Sequence, residues 1–162
     1  MASKAIQLAA LIAAIGLWMT PARAEGDPAA LAAALKNTSA TLQGGLKASE
    51  AQGTPISAKF EIEDGKLQLS VYTMKGDSFT EVVADPDTGA IKEADDLKEA
   101  TAQKAAMAKA KVPLLTAAET AVKANAGFRA VSIYPQLQNG NPMAEVTLLQ
   151  GTAFKKVTEK LD

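Results

Sequence analysis

The sequence predicts an α+β protein. It has two similar units, each a helix packed on an antiparallel sheet of three or four strands, joined by a helical connector. Three observations carry this. Runs of period-2 alternation, as in Ile56, Ala58, Phe60 and Ile62 against Ser57, Lys59, Glu61 and Glu63, mark strands with one buried and one wet face. Asp64-Gly65 and Asn139-Gly140 sit between such runs and supply the positive φ angles of tight hairpins. Residues 56–83 align without a gap on residues 131–158 at an offset of 75. The identities are Ser57/Ser132, Gly65/Gly140, Val71/Val146, Gly76/Gly151, Phe79/Phe154 and Val82/Val157. They fall on turn glycines and strand apolar positions, as an internal repeat requires.

The N-terminus reads as an export signal. Lys4 precedes an apolar run from Ala5 to Met19, and Ala22-Arg23-Ala24 fits the small-residue cleavage pattern, with cleavage between Ala24 and Glu25. The run is shorter than the roughly 20 residues a spanning helix needs. The expectation is therefore a cleaved signal over 1–24 and no stable membrane anchor afterwards. A chain exported without cysteine fits a bacterial periplasmic or secreted protein better than a disulfide-dependent eukaryotic one.

From residue 25 the elements follow in order. Asp27-Pro28 is an N-cap with proline at N1. Leu31, Leu35, Thr38, Leu42 and Leu46 continue at helical spacing, interrupted by Gly44-Gly45, a candidate for close packing on the sheet. After the first hairpin, Leu67, Leu69, Val71 and Thr73 form the return strand, and Ser78 to Ala84 a third strand. A short fourth is expected at Ala90 to Lys92. Together, 25–92 make the N-terminal helix and first unit. Residues 93–113, rich in Ala and Lys with a thin stripe of Leu97, Ala100 and Met107, read as a helical connector ended by Pro113. The second unit, 114–162, opens on Thr116-Ala117-Ala118-Glu119, which reads as a capping box. Its helix ends near Asn125–Gly127, and strands follow at about 128–137, 143–150 and 153–159.

Pro55-Ile56-Ser57-Ala58-Lys59-Phe60-Glu61-Ile62-Glu63-Asp64-Gly65-Lys66, then a strand, then Asp85-Pro86-Asp87-Thr88-Gly89-Ala90-Ile91, resembles the PepSY domain family. The second unit resembles a degenerate copy without the closing D-x-x-T-G turn. The resemblance implies a helix-plus-sheet fold and, from the family's occurrence in peptidase propeptides, restraint or inhibition of a peptidase. It brings no catalytic residues.

Composition excludes several chemistries. The 162 residues contain no Cys and no His, so there is no thiolate, no imidazole base and no Ser-His-Asp triad. A net charge of −1 offers no basic footprint for nucleic acid. Asp85, Asp87, Glu93, Asp95 and Asp96 cluster, but Gly89 comes one step early for a calcium loop. No nucleophile elbow or phosphate loop appears, and the expectation is a non-enzymatic protein without cofactor. The candidate partner-binding surface is Tyr72, Met74 and Tyr134, which fall on the polar phase of their strands, tyrosine being enriched at binding hot spots. The partner would be a peptidase or another envelope protein. A small-ligand or metal-ion module, or a structural envelope protein, are the alternatives. Charge is divided: residues 25–96 carry −7 and residues 97–162 carry +4. Mutual attraction of two packed units, or orientation of a charged partner, would each explain the split.

Overall fold

The computed structural model describes residues 27–86, 91–97 and 100–162, with the backbone path alone over 92–97. The signal segment, its Ala24–Glu25 cleavage point and Asp87-Thr88-Gly89 of the acidic turn lie outside the described residues. The elements are α1 (Pro28–Leu35), α2 (Leu42–Ser49), β1 (Thr54–Glu63), β2 (Lys66–Lys75), β3 (Ser78–Ala84), β4 (Ile91–Leu97), α3 (Thr101–Met107), α4 (Leu114–Ala124), β5 (Arg129–Gln138), β6 (Asn141–Gln150) and β7 (Ala153–Lys160). All seven strands join one antiparallel sheet in the order β4-β3-β2-β1-β5-β6-β7.

The hairpins form where Asx-Gly pairs allow them. Asp64 and Gly65 take φ of 49° and 74°, and Asn139 and Gly140 take 50° and 80°. Two successive positive φ angles match the right-handed twist of the flanking strands. β1 and β5 meet at the centre through Ala58↔Ile133 and Lys59↔Ser132. Each also carries a register shift against its hairpin partner, between Pro55 and Ser57 in β1 and between Ala130 and Ser132 in β5.

The core lies between one sheet face and the helices. Ala58, Phe60, Leu69, Val71, Val82, Ile133, Ala144, Val146 and Leu148 from the strands are buried with Leu31, Leu35, Leu42, Leu46, Leu114, Ala117, Ala118 and Ala121 from the helices. Gly45 of α2 lies directly over Leu69, where a Cβ would collide, so close approach of helix to strand explains this glycine. Gly44, its neighbour, is exposed. Leu161, fully buried, pins the end of the chain: its N–H donates to Pro142 O, and its carbonyl accepts from Lys111 N and Val112 N.

Four expectations are corrected. The run from Pro28 to Ser49 is two helices, broken at 36–41 rather than at the glycines. Thr38 Oγ1 donates to Pro86 O and accepts from Ala40 N, while Thr41 caps α2 by accepting from Gly44 N; side-chain bonds to the backbone outcompete the helix there. The fourth strand is longer than expected, Ile91–Leu97, because β3 pairs with it from Phe79 to Ala84, with a register shift between Val83 and Ala84. The connector is therefore not helical over 93–113: only Thr101–Met107 forms a helix, and the 92/93 boundary falls inside β4. The Thr116–Glu119 capping box is absent; α4 begins three residues earlier with Pro113 at its N-cap, and Thr116 O instead accepts from Thr120 Oγ1 within the helix.

Candidate functional site

Alternation places a polar set on the opposite sheet face. β1 contributes Ser57, Lys59 and Glu61; β2 contributes Gln68, Ser70, Tyr72 and Met74; β3 contributes Glu81; β5 contributes Ser132 and Tyr134. The register fixes their neighbours. Tyr72 pairs with Ser57 on one side and Glu81 on the other. One step beyond the Ala58↔Ile133 pair, Tyr134 arrives beside Ser57 and pairs outward with Glu145. Glu81, Tyr72, Ser57, Tyr134 and Glu145 thus form one row across five strands. The tyrosines, 62 positions apart in sequence, stand two strand spacings apart, about 10 Å. Both are half-buried, as is Met74 farther along β2, and Ser57 between them is buried. The three candidate residues therefore share one face, with Met74 two residues along the strand from Tyr72.

A second row carries a charged network that the alternation pattern did not single out. Lys59 lies between Ser70 of β2 and Ser132 of β5. Its Nζ is 2.6 Å from Glu61 Oε2, with both side chains largely withdrawn from water. Ser70 Oγ donates to the other Glu61 oxygen at 2.6 Å. Glu61 thus offers both oxygens to donors, which is what allows a carboxylate to be buried on a central strand. Glu81 adjoins this group. Burial pushes its carboxyl above the usual carboxylate range, opposed by the Ser70 hydroxyl and assisted by the Glu61 charge, with Lys59 opposing and Glu63 assisting more weakly. The wet phase of β1 announced Lys59 and Glu61. Their placement beside Ser70 and Glu81 needed the register of β2 and β3.

Ser70 touches a carboxylate, as a nucleophile would touch its base. Two clefts lined by described residues lie elsewhere, and Ser70 lines neither. One, of about 410 Å³, lies among Leu35, Thr38, Phe128, Arg129 and Leu149; the other, of about 380 Å³, lies among Glu50, Gly53, Thr54, Met74 and Gly76. The first contains Arg129, whose guanidinium is already committed. It donates to Leu35 O at 2.7 Å, Thr38 O at 3.5 Å and Ala40 O, and stands 5.7 Å from the Phe60 ring centre. Burial pulls its pKa below the ordinary arginine value. Arg129 therefore ties the α1–α2 segment to the sheet. Among the described residues, no group of three or more acidic side chains is placed to hold a metal ion, and the side chains of Glu93, Asp95 and Asp96 lie outside them. No helix among the described residues is long and apolar enough to cross a membrane.

No family model matches the chain, and no curated protein matches it. A crystal structure from Clostridium difficile 630, titled a "putative lipoprotein", is similar at 11% identity over 72% of this chain and 80% of that one, with a TM-score of 0.38. A likeness at that level transfers neither fold nor function.

Proposed function

We propose that this is an exported, non-enzymatic protein of two PepSY-like units that binds a protein partner through the polar face of its sheet. A peptidase is the partner class that the resemblance implies. The observation that carries the surface is the row joining Tyr72 and Tyr134 across Ser57. Two half-buried tyrosines on rigid central strands have few conformations to lose on binding, which favours them as anchors. The Lys59–Glu61–Ser70 network beside them holds the strands in register and gives the face a fixed polar pattern. Binding would occlude the partner with no covalent step.

Duplication at an offset of 75 is supported by paired details. The register shifts fall at Pro55/Ser57 and Ala130/Ser132, and the positive-φ turns at 64–65 and 139–140 and at Gly76 and Gly151. Strands β1 and β5 pair antiparallel with Ala58 facing Ile133, 75 residues on, as a pseudo-twofold relation between two units would require. Export rests on the N-terminal signal pattern.

The test is crosslinking capture from the host's periplasmic extract, with Tyr72→Ala and Tyr134→Ala as controls. A stoichiometric peptidase that either substitution releases supports both function and surface. Capture of a peptidase that ignores both changes keeps the function and discards the surface. No partner above background overturns the peptidase reading.

A further inference from the structure

The cleft of about 410 Å³ beside the α1–α2 segment carries positive charge that its described walls do not neutralise. We propose that it binds a small organic carboxylate with an apolar body, the carboxylate on Arg129 and the body against Leu35, Phe128 and Leu149. The site is independent of the tyrosine row: Tyr72, Met74 and Tyr134 do not line it. Of the described residues that do, Lys36 and Arg129 are cationic and none is acidic. Lys155 adds a third positive charge beside the cleft, its Nζ 5.8 Å from the Phe128 ring centre. Burial lowers the Arg129 pKa, and no carboxylate charge opposes that shift. The carbonyls of Leu35, Thr38 and Ala40 fix the guanidinium in place, but they bring no countercharge. A partly buried cation in that position is costly, and an anion entering the cleft relieves the cost.

The donors suit a carboxylate. A guanidinium offers five N–H groups in a rigid fork. Nη1 and Nη2 serve the three carbonyls, and Nε–H makes no hydrogen bond to a described residue. Among the described residues no buried side-chain nitrogen lacks a partner, so Nε is open to solvent and able to donate to an anion. Gln150 supplies a second donor. Its Nε2 lies over Gly127, in the space a Cβ would fill, so glycine at 127 admits this amide to the cleft. Lys36 is exposed at the C-cap of α1 and supplies an ammonium. The walls suit an apolar body. Leu35 and Leu149 are buried core residues that also line the cleft, and Phe128 is half-buried. Inorganic phosphate would leave those walls in water, whereas an apolar acid covers them. The volume lies at the low end for ligand sites, which fits a small molecule or one terminal residue of a peptide.

Titration of the purified protein with phenylacetate and with N-acetyl-leucine, followed by two-dimensional amide NMR, tests this. Phenylacetate stands for a free acid and N-acetyl-leucine for a peptide C-terminus, and the tighter of the two identifies the source. The expected result is saturable shifts centred on residues 36–38, 127–129 and 149–151, with a dissociation constant of about 1 mM or below. Phenylacetamide, of the same shape without the charge, should bind at least about tenfold more weakly. Arg129→Lys keeps the charge but loses the planar fork, and should weaken binding at least about tenfold. Far-UV circular dichroism checks its folding. Should it be unfolded, Lys36→Glu serves instead, since Lys36 is exposed; it should weaken binding at least about fivefold by setting like charges together. Shifts that do not saturate by about 10 mM overturn the proposal. So does phenylacetamide or inorganic phosphate binding as tightly as the better acid, or a folded variant of either kind binding as the wild type does.

Discussion

Gly44 and Gly45 are adjacent in one helix, yet alanine at the two positions should move stability in opposite directions. Replacing a helical glycine by alanine gains about 1 kcal/mol of backbone propensity. At Gly44, which is exposed, the new Cβ would lie 3.1 Å from Thr41 Oγ1, a tight contact with the capping hydroxyl. A few tenths of the gain are lost there, leaving a net stabilisation of about 0.5 kcal/mol. At Gly45 the Cβ would lie 3.0 Å from Leu69 Cγ and nearer still to Cδ2. Carbon atoms prefer about 3.5–4.0 Å, and Leu69 is buried in the core. Overpacking of this kind costs about 1–3 kcal/mol, so the net is a loss of up to about 2 kcal/mol. At about 2–4 °C per kcal/mol, the two variants should differ in Tm by several degrees. Urea denaturation followed by far-UV circular dichroism measures both. Leu69→Val should relieve the clash, making Gly45→Ala less harmful in that background than alone. Equal stabilisation by both alanines, or strict additivity of Gly45→Ala with Leu69→Val, would refute the reasoning.

The polar face and the clamp make further predictions. The carboxyl of Glu81 titrates above its unfolded value, so its contribution is complete below the ordinary carboxyl range and is lost as pH rises through the folded value. Glu81→Gln should therefore stabilise the protein at pH 7, by less than about 1 kcal/mol at this half-buried site, and flatten the Tm profile between acid and neutral pH; a lower Tm at pH 7 would contradict this. Ser70→Ala removes one donor from buried Glu61 and should cost about 1–3 kcal/mol, measured by urea denaturation. Arg129→Met frees three carbonyl groups of the α1–α2 segment and should cost about 2–4 kcal/mol, with faster amide exchange at residues 36–41 than in the wild type.

The sequence disclosed the local features and concealed the long-range ones. Period-2 alternation and the Asp-Gly and Asn-Gly turns placed β1, β2, β5, β6 and β7 to within two residues, because hairpin register is set by neighbours in the chain. Tyr72, Met74 and Tyr134 were legible as polar-phase residues for the same reason. That the tyrosines share a row was not, since it depends on β1 pairing with β5 across 75 residues. The Lys59–Glu61–Ser70–Glu81 group was hidden for a different reason: it is assembled side by side across β1, β2 and β3, and the alternation of any one strand does not show which polar residues meet. β4 was mistaken for connector because Glu93-Ala94-Asp95-Asp96 has poor strand propensity, and its pairing with β3 overrides that preference. The helix break at 36–41 went unread because Thr38 is drawn out by Pro86, 48 residues away.

The central claim is a protein partner held on the tyrosine row. Proteolytic activity of the host's envelope extract, titrated with the purified protein and with the Tyr72→Ala/Tyr134→Ala double variant, tests it most directly. A saturating loss of activity, with the double variant needing at least about tenfold more protein, is the predicted result for loss of two anchors. Activity that stays constant at every dose of the wild-type protein would contradict it.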